Sequence, residues 1–586
     1  MLPNAFSRSC PVKKSKSQRA QFGLLALLLL ALTPHSAHSE VLPDEQFRLQ
    51  SNVTTQNRIV GDPTVGVSFS DASTAFGGKP VMILANKRHQ STVTYNESNP
   101  YAALCASTTD PACKEFPIKT ITAKYPYCQG TANAICIKSL WATLPSGKRI
   151  EASFIRELRV ATPKPYEEDK ELGIPRSAGD SLFEFRDETG SVALSHSGGS
   201  LFAVKTLLSG TASSALDFEA SIAAIRTETN QSNSVLFKGY SPQGNGAGYW
   251  VNLSPPSLTD CVVFGLGECG KAYPLPMNVR FGLSIQSSKF PTRWLHGRLI
   301  APQVQISESN KGYLISIEAE PTRIPFLAGS GRISQLTPAL QQRYQSIIET
   351  DKKDPKGVVG GDDLNPSRGY YVLNALKEWL EYLPDKAQAM PTAWSIRTIS
   401  TNDISTAQFP TKCLDSEKGL AGLVTTNATA YSSGPPKFVS ATGALEYEVA
   451  APHFEKDGVS AFKGSYDLAI KSDVARCIYG FTNAPVQATV SVLNSTEEQK
   501  VVTTTFTESQ GWINFSARNF EFSAPKIVVV MTQKSAAPAA KPGSSPSMAP
   551  AKATSRSITC RNTKGTLKRV TGVKPSCPKG YQLRRE

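Results

Sequence analysis

The chain has 586 residues and a formal net charge of +15, and that charge sits at its two ends. Residues 541–586 carry eleven Lys and Arg against one acidic residue, residues 1–39 carry five against none, and everything between sums to zero. A neutral body is a poor match for nucleic acid, and the basic C-terminal end has Tyr581 as its one aromatic, too few for base stacking.

Residues 1–39 read as a signal peptide. Arg8, Lys13, Lys14, Lys16 and Arg19 form a basic start, and Phe22 to Leu32 is an apolar run of eleven. Ala37 and Ser39 then place small residues at −3 and −1 of a cleavage point before Glu40. The run is short for a bilayer span, and no other approaches eighteen residues, so no transmembrane segment is expected in the mature chain. The expected location is extracellular or at the cell surface.

Ten cysteines remain after residue 39. Cys105 and Cys113, Cys128 and Cys136, and Cys261 and Cys269 are each eight apart. Cys413 with Cys477, and Cys560 with Cys577, complete a nearest-neighbour disulfide scheme. Each short loop so closed gives ~2.5 kcal/mol on the chain-entropy model. Metal ligation does not fit, because C-x-x-C is absent and the mature histidines His89, His196, His296 and His453 are scattered. No cofactor is expected.

The hydropathy alternates with a period of two through most of the body, as in Val279-Phe281-Leu283-Ile285, Leu445-Tyr447-Val449, Tyr466-Leu468-Ile470, Val490-Val492 and Val529-Met531. The reading is a mainly β protein. It has antiparallel β-sandwich domains, a short helical hairpin connector and a small disulfide-stapled C-terminal module. Residues 40–334 form a β-rich N-terminal region of one or two domains. Thr337-Pro338 starts a helix carrying Leu340, Tyr344, Ile347 and Ile348, and a second, about Tyr370 to Leu383, buries Val372, Leu376, Trp379, Leu380 and Leu383. These make 335–390 a connector, with a long polar loop between the helices. A C-terminal sandwich follows over 391–534. It closes with a meander of Val486–Leu493, Lys500–Thr507, Trp512–Phe515 and Lys526–Thr532.

Chemistry is sparse. Glu318 and Glu320, i and i+2 on one strand face, lie within the range of glycosidase carboxylate pairs. Glu446 and Glu448 repeat the pattern, and ordinary amphipathic alternation explains both. Ser195-His196-Ser197 sits in a loop without a G-x-S-x-G elbow. Asp354, Asp362, Asp363 and Asn365 lack calcium-loop spacing. Gly244 to Gly248 precedes Tyr249 and Trp250, which offer a sugar-stacking platform or core packing. No catalytic or metal residue is assigned.

Residues 535–557 are Pro, Ala and Ser with little to bury, an extended linker. Residues 558–586 form a basic module too small for its own core, stapled by Cys560 and Cys577 with a hairpin turn at Thr563-Lys564-Gly565. Its Arg561, Lys564, Lys568, Arg569, Lys574, Lys579, Arg584 and Arg585 are the expected docking residues for an anionic cell-envelope polymer or surface glycan. Ile558-Thr559-Cys560, Lys564-Gly565, Val570-Thr571-Gly572-Val573-Lys574-Pro575, Cys577-Pro578 and Gly580-Tyr581 carry a resemblance. Together they resemble the C-terminal motif of large secreted actinobacterial surface proteins. The region from Trp294-Leu295-His296-Gly297-Arg298 through Glu318-Ala319-Glu320-Pro321, and the stretch Gly511-Trp512 to Lys526-Ile527, are similar to the same group. The resemblance implies origin and compartment and transfers no activity. The function expected is a non-enzymatic surface protein that binds or scaffolds. A secreted carbohydrate-active enzyme and a glycan-binding protein are the alternatives.

Overall fold

Trp294–Arg298 is a five-residue strand buried along its whole length. It runs antiparallel to Thr392–Thr398 and parallel to Gly422–Thr426. Its close parallel contact depends on a glycine: a Cβ at Gly422, which faces Trp294 in the register, would lie 2.1 Å from the indole ring. In the computed structural model the described residues are 43–46, 59–71, 81–86, 102–229, 261–399, 412–413, 419–533 and 556–583, with short gaps inside the longer ranges. They include thirty-two strands and four α-helices, so the protein is mainly β and mostly antiparallel.

The large sheet can be followed outward from that central strand. On one side Thr392–Thr398 pairs with Asp217–Thr229, which pairs with Leu201–Gly210, then Ile118–Ala123 and Met82–Asn86. On the other side Gly422–Thr426 pairs with Lys463–Lys471, then Trp512–Glu521 and Thr503–Ser509. Strands before residue 334 and after 391 therefore share one ladder. Residues 1–533 form one compact unit and 534–586 a second. The division of the body at 335–390 that hydropathy suggests is not a separation of domains. Helical periodicity marks where the chain leaves the sheet, but not that it returns to the same sheet.

The helical segment covers a small sheet of its own. Pro338–Arg343, Gln345–Lys353 and Tyr370–Trp379 are helical. Val372, Leu376 and Trp379 are fully buried. They pack with Val65, Val67 and Phe69 of the strand Thr64–Phe69, which pairs with Leu327–Arg332 and, in parallel, with Asp362–Leu364. That last strand lies in the stretch read as a polar loop. Leu380, expected inside, is exposed, because the α-helix ends at Trp379 and a 3₁₀ turn rotates it outward.

The last strands of the body are not a meander. Val486–Leu493 pairs with Lys526–Gln533, whereas Thr503–Ser509 pairs with Trp512–Glu521. Lys526–Gln533 continues to Ala444–Ala450, so the chain alternates between two sheets. Tyr466, Leu468, Ile513 and Phe515 from one face Leu445, Tyr447, Ile527 and Val529 from the other in a shared core. A separate core under the opposite face of the large sheet includes Phe281, Leu295, Trp394 and Leu423.

Among the described side chains the disulfides Cys105–Cys113, Cys128–Cys136, Cys413–Cys477 and Cys560–Cys577 are formed, with Cα separations of 5.8, 5.1, 5.7 and 5.7 Å. Cys269 is also disulfide-bonded, and the side chain of Cys261 lies outside the described ones. In the second unit Arg556–Asn562 pairs with Leu567–Gly572 and with Tyr581–Leu583.

Candidate functional site

Strand alternation puts Trp294, His296 and Arg298 on one face of the central strand, with Leu295 on the other. Register carries the polar face sideways: His296 sits opposite Arg397, and Arg397 opposite Glu219. Asp71, just beyond the strand Thr64–Phe69, completes a buried ionic seam. Arg298 Nε donates to Asp71 Oδ2 at 2.5 Å, and Arg397 lies 2.9 Å from Asp71 Oδ1 and 3.4 Å from Glu219. The remaining Arg298 donors reach the carbonyls of Thr426, Ala428 and Thr429, and its guanidinium stacks on Tyr431, 4.5 Å from the ring centroid. His296 Nδ1 is 2.6 Å from the Tyr431 hydroxyl.

Burial opposes the charge on Asp71, but Arg397 and Arg298 outweigh it and hold the carboxyl at about 2. Burial, helped by the charge of Arg397, drives His296 down to about 3, so it is neutral. Two arginines meet two carboxylates, and Arg298 has a hydrogen bond at each of its three nitrogens. That is how a buried ion pair becomes tolerable and fixes one arrangement of the surrounding strands.

Asp71, Arg397 and Lys205 also line a cavity of about 110 Å³ with Glu45, Ser221 and Trp394. Glu45 arrives on the 3₁₀ turn Asp44–Gln46, pinned by Met390 N to Asp44 at 2.8 Å and by Thr392 N to Glu45 Oε1 at 2.7 Å. Burial raises the Glu45 pKa, and its Oε2 is buried without a partner. Burial lowers Lys205 to about 8, against the pull of Glu219 and Asp180. An acid and an amine of perturbed affinity thus share the cavity, and Lys205 faces Ser221 across the ladder. The volume has room for several waters and falls short of the ~300–1,000 Å³ of ordinary ligand pockets.

The carboxylate pairs read from sequence are structural. Glu318 accepts from Trp141 Nε1 at 2.8 Å and Arg280 Nε at 3.1 Å, and Glu320 lies 3.5 Å from Arg280. Glu446 pairs with Lys526 and Glu448 with Lys377. His196 closes its own turn: Nδ1 accepts from Gly198 N at 3.1 Å and Nε2 is 2.9 Å from the Leu201 carbonyl. Asp362 accepts from the Tyr344 hydroxyl at 2.9 Å. Asp354, Asn365, the Asp363 side chain and the 244–250 stretch lie outside the described residues. Among the described residues no group of three His, Cys, Asp or Glu could hold a metal ion, and no helix is long and apolar enough to cross a membrane.

In the C-terminal unit Arg561, Lys568 and Lys579 are exposed, and Cys560 alone is buried among its described residues. Arg569 lies in a strand with its side chain outside the described ones, as do Lys564, Lys574, Arg584 and Arg585 entirely. No family model, curated protein or solved structure matches the chain. The ionic seam was hidden from sequence reasoning, because Arg298 and Arg397 fall where alternation points a side chain toward solvent.

Proposed function

We propose that the protein is exported by its N-terminal signal segment and acts at the cell surface as a non-enzymatic binding or scaffolding protein. Its C-terminal module docks it electrostatically on an anionic envelope polymer. The observation that carries this reading is the module itself, a separate unit closed by Cys560–Cys577 with Arg561, Lys568 and Lys579 exposed, in a chain whose body has zero net charge. The disulfides of the body suit an oxidising compartment. An enzymatic reading loses its best candidates once Glu318 and Glu320 are seen to share Arg280.

Fractionation of cells tests the docking. Attraction between exposed charges is screened as the Debye length falls from ~10 Å at 0.1 M salt to ~3 Å at 1 M. The full chain should stay with the envelope at low salt and leave it in 1 M NaCl. The chain ending at Lys534, and the full chain with Lys568→Gln, Arg569→Gln, Lys574→Gln and Lys579→Gln, should appear in the medium at low salt. At about 1 kcal/mol for each basic residue near an anionic surface, four replacements suffice to release it. Equal partitioning of all three forms at both salt concentrations would refute the docking.

A further inference from the structure

A groove of about 380 Å³ lies on the large sheet's outer end, on residues unconnected with the cationic module. Its floor follows from register. Asp467, Ser516 and Thr505 form one rank across three adjacent strands, and Ala469, Asn514 and Thr507 the next. Trp512 and Ser509 extend the floor, and Gln303 and Gln305 of the strand Ile300–Ser309 project from its wall. Neighbouring strands are ~4.8 Å apart, so the ranks present hydroxyl and amide groups on a lattice of that spacing.

Asp467 is the one ionisable side chain of the lining, and it is spent internally. Its Oδ1 accepts from Ser516 Oγ and Arg518 at 2.5 Å each, and its Oδ2 accepts from Ala301 N at 3.0 Å. That last bond holds Ala301, at the rim, in the left-handed region with φ 49°. A non-glycine residue held there is backbone strain of the kind that collects at ligand sites. The groove is thus rigidly built and carries no free charge.

We propose that this groove binds a neutral saccharide. A charged ligand would lose hydration with no counter-charge to meet it. Lys463–Lys471 and Trp512–Glu521 are paired along both edges and Thr503–Ser509 along its inner edge, so over the floor itself recognition runs through the side chains above the sheet, and strand backbone is offered only at the outer edge of Thr503–Ser509. Glutamine, asparagine, threonine and serine supply donors and acceptors in alternation, the pattern that ring hydroxyls answer. An extended peptide would instead seek unpaired strand backbone.

The test is affinity electrophoresis of the mature full chain in 1 M NaCl through gels containing α-mannan, β-1,3-glucan, galactan or xyloglucan. Polygalacturonate serves as the anionic control, and an excess of a Ser/Thr-rich extended peptide as competitor. At least one neutral polymer should retard the protein at high salt, and the peptide should leave the retardation unchanged. Gln303→Ala with Gln305→Ala, both exposed, should weaken binding about tenfold or more at an unchanged melting temperature, with Asn514→Ala acting in the same direction. No retardation by any neutral polymer would overturn the proposal, as would equal binding by the double variant or displacement by the peptide. Retardation by polygalacturonate alone, lost in 1 M NaCl, would overturn it while leaving the cationic docking intact.

Discussion

The body buries an ionic seam, whereas among the described residues of the C-terminal module one cysteine is buried and Arg561, Lys568 and Lys579 are exposed. In the body, Arg298 and Asp71 have side chains 1 % and 4 % exposed, and the strands around them are held by three large apolar clusters. In the module, one disulfide substitutes for a core. The same residue types thus serve opposite ends: desolvated and paired, arginine specifies how strands meet, while exposed it remains available to a partner. Stability of the body should be sensitive to single charges and that of the module to its covalent closure.

The largest effect should come from breaking the seam. Arg298→Met removes the cation and leaves Asp71 buried with half its compensation, and should destabilise the body by roughly 3–5 kcal/mol. Urea unfolding of the variant against the native chain measures this. A change no greater than that from Lys568→Gln would show that the seam contributes nothing its burial implies.

Next is the staple. Cys560→Ser with Cys577→Ser opens a loop of seventeen residues, costing the module about 3 kcal/mol on the chain-entropy model. Hydrogen exchange of 556–572 should rise to near the free-chain rate. The main melting transition, which belongs to 1–533, should not move. A lowered main transition would mean that the two units are energetically coupled.

His296 sharpens the contrast through pH. Its folded pKa, about 3, lies below the unfolded value of about 6.5. Between those values only the unfolded chain takes up the proton. The histidine's contribution is therefore complete above pH 6.5 and lost progressively as pH falls toward 3. His296→Gln should lower stability at pH 7 by about 1–2 kcal/mol through the weakened Tyr431 contact, yet flatten the decline between pH 6 and 4. Parallel stability curves for the two proteins would show that His296 is not held neutral.

Much of the architecture is legible because period-two hydropathy reports directly which side chains face apolar neighbours. Phe281, Leu283 and Ile285 are buried as their alternation requires, and Thr337-Pro338 does start a helix. Alternation does not report what covers the other face. Trp394 and Ile396 mark one side of their strand as core, and Ser395 and Arg397 then read as solvent-facing. Both are buried, and Arg397 meets Asp71, a residue distant in sequence; Arg298, on the neighbouring strand, is likewise closed in by Asp71 and the carbonyls of Thr426, Ala428 and Thr429. Pairing order is invisible for the same reason, so four well-marked strands near the end of the body are read as neighbours although they divide between two sheets. The groove escapes notice because its glutamines and threonines are individually ordinary. Only the register brings them into ranks.

The smallest predicted effects separate two glutamate pairs that look alike in sequence. Glu318 and Glu448 both stand in an i, i+2 pair on a strand with an apolar opposite face. Glu318 accepts from an indole and a guanidinium, and its side chain is 18 % exposed. Glu448 meets one lysine and is 39 % exposed. Replacement of Glu318 by Gln keeps the shape but weakens two bonds in a partly desolvated site, and should cost about 1–2 kcal/mol. Glu448→Gln removes an exposed pair screened by solvent and should change stability by less than about 0.5 kcal/mol. The larger loss should persist in 1 M NaCl, since hydrogen bonding rather than long-range attraction supplies it. Equal losses from the two variants, or a Glu318→Gln effect erased by salt, would mean that the Trp141 and Arg280 bonds add nothing beyond surface charge.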